Sequence, residues 1–349
     1  MRAVQMIKWG SEPALVEIPT PTPGPGEVLL RVDAAGLCHT DLHMMEWAEG
    51  AVPFPLPFTL GHETAGTVVA LGSGAGGTRE GDRVLVYSRW GCRTCPACRQ
   101  GRDNGCEHYR EASDGLGGGV GRDGGLADYM LVPSPRYLVP IDGLDPASAA
   151  PLTDAALTPY HAICQCAHQL RPGATALVIG VGGLGHMAIQ LLRAISSVRV
   201  VAVDVRAEAL ELAQEAGAEV VLSASGAPED LIGELGPRGA DLILDCVASD
   251  ATLALAARAV AVGGDLCYIG RGGGSLPVAP GRLPLECSVR LPSWGTLPEL
   301  LEVVELARAG AIRTEVEAFP LEEAINGYRR LRDGAVRGRA VAVPTNKST

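Results

Sequence analysis

Two hydrophobic rhythms divide the chain. Up to about residue 150, short apolar runs recur at Val28–Val32, Ala65–Leu71, Arg83–Tyr87 and Tyr129–Val132, separated by turn-forming stretches such as Pro21-Thr22-Pro23-Gly24-Pro25-Gly26. Such runs, bounded by Gly and Pro, predict an irregular, mostly antiparallel β domain with few helices. After Pro151 the rhythm changes. Apolar runs at Thr175–Ile179, Arg199–Val203, Val220–Leu222, Asp241–Asp245, Asp265–Ile269 and Ser288–Leu291 now alternate with helical patterns such as His186–Ile195 and Ala207–Ala216. That alternation predicts an α/β unit with a doubly wound parallel sheet, and six strands complete a dinucleotide-binding fold. Beyond residue 293, Leu297–Ala307 and Leu321–Leu331 read as helices and Arg339–Val343 as a closing strand.

Composition narrows the options. The 349 residues suit two domains. Hydrophobic residues make up 47% but aromatics only 4%, so aliphatic side chains must fill the cores. A net charge of −11 without a basic run argues against nucleic acid or an anionic membrane as partner. The N-terminus lacks an apolar signal region. The most apolar long stretch, Thr175 to Leu192, is interrupted by four glycines and a histidine, so it reads as strand, turn and helix rather than a membrane span. Ten cysteines without an export signal, four of them tightly clustered, fit a reducing cytoplasm better than a disulfide framework.

Gly180-Val181-Gly182-Gly183-Leu184-Gly185 spells G-x-G-x-x-G, and its context gives it weight. A buried-strand pattern precedes it, a helical pattern follows, and Asp204 lies 19 residues past the last glycine. These are the conditions a dinucleotide fingerprint demands. Gly180 permits the tight turn, Gly182 lets the backbone approach a pyrophosphate, and Gly185 lets helix and strand pack. Asp204 can accept bonds from a ribose 2′-hydroxyl and would repel a 2′-phosphate, which favours NAD over NADP; Arg206, placed to stack on adenine or tolerate a phosphate, pulls the other way.

Cys92, Cys95, Cys98 and Cys106 follow the order C-x2-C-x2-C-x7-C. Four thiolates match a closed tetrahedral zinc site with no position left for substrate, so its role is structural. Cys38 and His62, 24 residues apart, form an incomplete second set. Each alone reads equally well as an ordinary core residue. A third ligand would complete an open, catalytic arrangement. Asp154 leads, with Cys164, Cys166 and Glu63 as alternatives.

These pieces in this order resemble the zinc-containing medium-chain alcohol dehydrogenases, over Met1 to about Pro344. The markers are Gly36-Leu37-Cys38-His39-Thr40-Asp41, Gly61-His62-Glu63, the four-cysteine lobe and Gly180 to Gly185. Pro151-Leu152-Thr153-Asp154-Ala155 and Trp294-Gly295-Thr296 bring the likeness nearest to bacterial NAD-dependent secondary-alcohol dehydrogenases. The resemblance implies a GroES-like β-rich catalytic domain built from residues 1–152 and 293–349, and a Rossmann NAD-binding domain over 153–292. It implies two zinc ions per chain, one catalytic on Cys38, His62 and Asp154, one structural on the four clustered cysteines. Glu63 would stand behind the catalytic zinc or bind it transiently. Thr40 would hydrogen-bond the substrate oxygen, and His43 would relay the proton. Gly183 and Leu184 would join the cofactor turn. Thr158, one helical turn after Asp154, would lie beside the nicotinamide; Arg339, with Arg337 as rival, would contact the pyrophosphate. The resemblance further implies a homodimer or homotetramer.

The implied chemistry is reversible hydride transfer between NAD and an alcohol. Zinc lowers the pKa of a bound hydroxyl from about 16 towards 7, and the nicotinamide takes the hydride. Phe54, Leu116 and Trp294 are expected to line a substrate pocket between the domains, suited to a medium-sized hydrophobic alcohol or ketone. A polyol, diol or threonine dehydrogenase on the same scaffold is the alternative. Cys38 and the cysteine lobe count against a zinc-free quinone reductase, and the intact Cys38–His62–Thr40 set counts against a silent binding protein.

Overall fold

The run that begins at Val28 continues well past its bulky residues. In the computed structural model, which describes residues 1–109, 115–224 and 228–345, this strand spans Val28–Leu37, and its second half is built from the small residues Ala34, Ala35 and Gly36. Small side chains let neighbours approach closely on both flanks. Glu63–Leu71 pairs antiparallel along one edge; Tyr129–Val132 and Arg339–Val343 share the other. The register sets Gly36 opposite Glu63 and Leu37 opposite Ala340. Three distant segments therefore meet where the strand ends at Cys38.

The sheet runs in the order Leu138–Pro140, Arg83–Val86, Glu63–Leu71, Val28–Leu37, Arg339–Val343, Val316–Pro320. It is antiparallel, as the sequence predicts, except for its last two strands, which run parallel. A 3-10 turn (Leu321–Glu323) and the helix Ala324–Arg332 connect them, where the sequence pattern predicts one continuous helix. The strand Val316–Pro320 is masked in the sequence because Glu317 interrupts its short apolar run. This unit comprises Met1–Asp154, Thr296–Arg308 and Thr314 onward; a second comprises Ala155–Gly295 and Ala309–Arg313.

The second unit holds a six-stranded, wholly parallel sheet: Val220–Ser223, Arg199–Asp204, Thr175–Ile179, Ala240–Asp245, Val260–Tyr268, Ser288–Arg290. In sequence order this is 3-2-1-4-5-6, the doubly wound arrangement. Parallel strands are covered on both faces, which is why they are written as continuous apolar runs. Leu177, Val201, Ile243 and Leu266 make a wholly aliphatic centre with Leu253 and Ala256. Strand order reverses between Thr175–Ile179 and Ala240–Asp245, where such sheets bind ligands. One strand starts earlier than its pattern indicates, at Val260 rather than Asp265, with an irregular register near its start.

The first strand, Arg2–Met6, is tied down by Asp128, which accepts from the Arg2 amide (2.7 Å) and guanidinium (2.6 Å). Burial pushes the Asp128 carboxyl up, but the Arg2 bonds outweigh it and hold the group below its ordinary range. A depressed carboxyl stabilises the fold above its unfolded value of about 3.9, and this stabilisation is lost as pH falls through the lower folded value. Asp128→Asn should therefore flatten the acid limb of stability. Denaturant midpoints measured between about pH 5 and pH 2 should fall less steeply than in the parent; identical slopes would reject the assignment.

Candidate metal centre and cofactor turn

Cys38 caps the helix His39–Glu46 with its sulfur. The thiol accepts from the Thr40 amide (3.5 Å), and the Asp41 carboxylate returns to the Cys38 amide (3.1 Å). This reciprocal cap fixes the sulfur where the strand Val28–Leu37 ends. His62 precedes the strand Glu63–Leu71. Asp154 closes the 3-10 turn Ala150–Thr153. Asp154 Oδ2 lies 3.5 Å from Cys38 Sγ and 3.6 Å from His62 Nε2. Tetrahedral zinc, with bonds of roughly 2.0–2.3 Å, needs donor atoms about 3.3–3.8 Å apart. The three side chains are buried and their donor atoms all lie within 4.8 Å of one another, so they fit a metal ion with a position to spare.

Electrostatics point the same way. Burial pushes the His62 imidazole down, but Asp41, Cys38 and Asp154 outweigh it and hold it well above its ordinary value. Anions gathered in a dry site demand positive charge at their centre. Arg339, 3% exposed, supplies part from behind, donating to Glu63 (2.8 Å) and Asp154 (3.2 Å). Even so, burial pushes the Glu63 carboxyl up to about 7. The resemblance leads one to look for Arg339 at a pyrophosphate; its guanidinium instead braces two carboxylates of the metal site. Glu63, a candidate ligand, is engaged by that guanidinium. Thr40 and His43 both lie on the helix that Cys38 caps and are half-buried.

The four clustered cysteines form a second site, with donor atoms within 4.8 Å of one another. Cys92 and Cys98 sulfurs are 4.0 Å apart, near the tetrahedral edge. The hydroxyl of Thr94 and the amides of Thr94 and Cys95 pull the Cys92 thiol down to about 5. Arg136 braces the lobe, donating to Cys98 O and to buried Asp103.

In the second unit, Gly180 takes φ 85° where the strand Thr175–Ile179 ends. The helix Gly185–Ile195 begins with no side-chain cap, and a helix start of this kind can receive an anion. A Cβ on Gly185 would stand 1.9 Å from Gly180 O; one on Gly182 would meet nothing within 4 Å, an open cradle of the kind a pyrophosphate requires. Gly183 and Leu184 complete the turn, half-buried. Asp204 ends the next strand and accepts from the amides of Val181 (2.8 Å) and Arg206 (2.9 Å), which aims its carboxylate beside the turn. The Arg206 guanidinium stands 3.5 Å from it.

Thr158 is buried in the helix Leu157–Gln165, but Asp154 lies outside that helix, so the four-residue spacing does not set the two on one helical face. Cys166 is taken up by packing, 3.4 Å from Cys267 Sγ. Leu116 helps line a cavity of about 340 Å³ beside the cysteine lobe, with Arg89, Trp90 and Arg122. Phe54 is buried against Gly121, in the same loop region as Leu116. Trp294 belongs to the second unit, half-buried, at an unusual φ of 51°. Sequence reasoning missed Asp41 and Tyr328; the contact between them, and that of Asp41 with His62, depends on chain pairings no local spacing reveals.

A parallel sheet with a glycine turn, in a chain whose other unit carries one open and one closed metal-ligand set, defines the class of metal- and dinucleotide-dependent oxidoreductases. Family models agree: residues 24–143 match the alcohol dehydrogenase GroES-like domain and residues 183–307 the zinc-binding dehydrogenase domain. An NAD-dependent alcohol dehydrogenase of Sulfurisphaera tokodaii is 35% identical, covering 99% of this chain and 100% of that protein. A D-arabinose 1-dehydrogenase (NADP(+)) of Saccharolobus solfataricus is 34% identical over 97% of each chain. The solved structure of an acetophenone reductase from Geotrichum candidum, in complex with NAD, superposes with a TM-score of 0.85 at 33% identity, covering 98% of this chain and 97% of that one. The chain belongs to the zinc-binding alcohol dehydrogenase family.

The glycine turn generates a prediction. Gly185→Ala forces a methyl into Gly180 O, so the turn must open. NADH affinity, read by fluorescence titration, should fall at least about tenfold while zinc content stays at the parental level. Undiminished affinity would show that the turn does not hold the cofactor.

Proposed function

We propose that the protein is an NAD-dependent alcohol dehydrogenase that interconverts secondary alcohols and ketones. The carrying observation is the buried set of Cys38, His62 and Asp154, three donors spaced for one zinc ion. When bound, zinc supplies Lewis acidity to an alcohol oxygen and NAD accepts the hydride. The protein's own groups do the rest. Arg339 and Asp41 hold the ligands in place, burial excludes bulk water, and the capping helix offers Thr40 and His43 to carry a proton outward. An imidazole near its unperturbed pKa of about 6.5 can pass that proton to solvent.

The fixed carboxylate of Asp204 supports NAD over NADP. The likeness to an acetophenone reductase supports a medium-sized hydrophobic substrate. The D-arabinose relative favours a second reading, a polyol or sugar dehydrogenase. A panel of 2-octanol, phenylethanol, 2,3-butanediol, sorbitol and D-arabinose with NAD separates the two, and preferential turnover of the last two would overturn the first. No described helix is long and apolar enough to cross a membrane. Ten free thiols suit a reducing cytoplasm, and family likeness favours a homodimer or homotetramer.

Two variants test the roles. Cys38→Ser should lose one zinc of two and abolish turnover while NADH binding persists; retained turnover at reduced zinc would reject the site. Asp204→Asn should narrow the NAD/NADP preference in kcat/KM by about 10–100-fold, the worth of a charge-assisted bond of roughly 1.5–3 kcal/mol. An unchanged ratio would reject its ribose role.

A further inference from the structure

Asp41 is outside the ligand set yet touches two of its members. Its Oδ2 accepts the Cys38 amide (3.1 Å) and the Tyr328 hydroxyl (2.7 Å), and its Oδ1 stands 3.3 Å from His62 Nδ1. Asp41 is 0% exposed and Tyr328 2%. Tyr328 comes from the helix Ala324–Arg332, 287 residues away in sequence. That helix is seated by Gly327, where a Cβ would stand 2.9 Å from Leu37, the residue just before Cys38. A carboxylate held by two donors on one oxygen cannot swing freely, so its other oxygen stays aimed at the imidazole. A carboxylate at one ring nitrogen sets the tautomer and leaves the opposite nitrogen for metal. That opposite nitrogen, Nε2, is the one facing Asp154.

We infer that Tyr328 is a positioning residue for the Cys38–His62–Asp154 metal site: its hydroxyl orients Asp41, and Asp41 orients His62. The inference rests on those three side chains being metal ligands. Arg339 braces the site from the Asp154 side; Tyr328 braces it from the His62 side. Both arrive on the C-terminal segment, which thereby controls a site whose ligands all lie in the first 154 residues. A phenyl ring at this position would fill the same buried space, so Tyr328→Phe removes the hydroxyl and little else.

The test is zinc affinity of the full-length protein, measured by chelator competition at both sites, with the four-cysteine lobe as internal control. Cobalt absorption reports the geometry of the other site. A parent that holds only the lobe's zinc would remove the metal-site reading, and with it the inference. With two zinc ions in the parent, Tyr328→Phe should weaken the non-lobe site by about three- to tenfold. That is less than the 10–100-fold typical of a group touching the ligand directly. The cobalt spectrum should shift and lobe affinity should hold. Asp41→Asn should weaken the same site by the larger factor. Parental affinity and an unshifted cobalt spectrum in Tyr328→Phe would overturn the inference, as would equal weakening of both sites, which marks a packing role. Should Tyr328→Phe not fold, parental affinity in Asp41→Asn would overturn it instead.

Discussion

Charge buried in a protein must be answered where it lies. Around His62 the chain buries a thiol and the carboxylates of Asp41, Glu63 and Asp154, and its own buried cations there are Arg339 and an imidazole held towards protonation. A cation among Cys38, His62 and Asp154 would answer the negative charge that remains on their side chains. That requirement explains features that packing alone leaves unaccounted for: a buried arginine on a closing strand, a cysteine used as a helix cap, and an aspartate at the end of a 3-10 turn.

Strand register delivers these groups to one place. Gly36 faces Glu63 and Leu37 faces Ala340, so the residues just beyond these pairs, Cys38, His62 and Arg339, converge. A Cβ on Gly36 would stand 1.8 Å from Glu63 Oε2, so the absent side chain is what lets that carboxylate lie flat against the strand. The second unit uses a different device for its ligand. There the site is offered by backbone, an uncapped helix start and a glycine turn, while Asp204 is fixed by two amides instead of by register.

The parallel sheet was legible because strands covered on both faces are written as uninterrupted apolar runs. The strand Val316–Pro320 was not, because Glu317 breaks its short apolar run and Pro320 ends it. The cysteine lobe could be read from spacing, since all its ligands fall within 15 residues. Cys38 and His62 could be read only as suitable ligand types, and Asp154 emerged as their partner chiefly through resemblance. Arg339 beside Glu63 and Tyr328 beside Asp41 span 276 and 287 residues. No periodicity carries information over that distance; only the folded pairing of strands creates it.

The order of segments has a consequence for how the molecule is made. Every proposed ligand of the open site is synthesised before Tyr328 and Arg339. A nascent chain thus holds its carboxylates and thiol without the arginine and tyrosine that steady them. Metal captured at that stage would be loosely held and open to exchange. Only once the closing strand and the helix before it dock are Glu63 and Asp154 held by Arg339 and Asp41 by Tyr328.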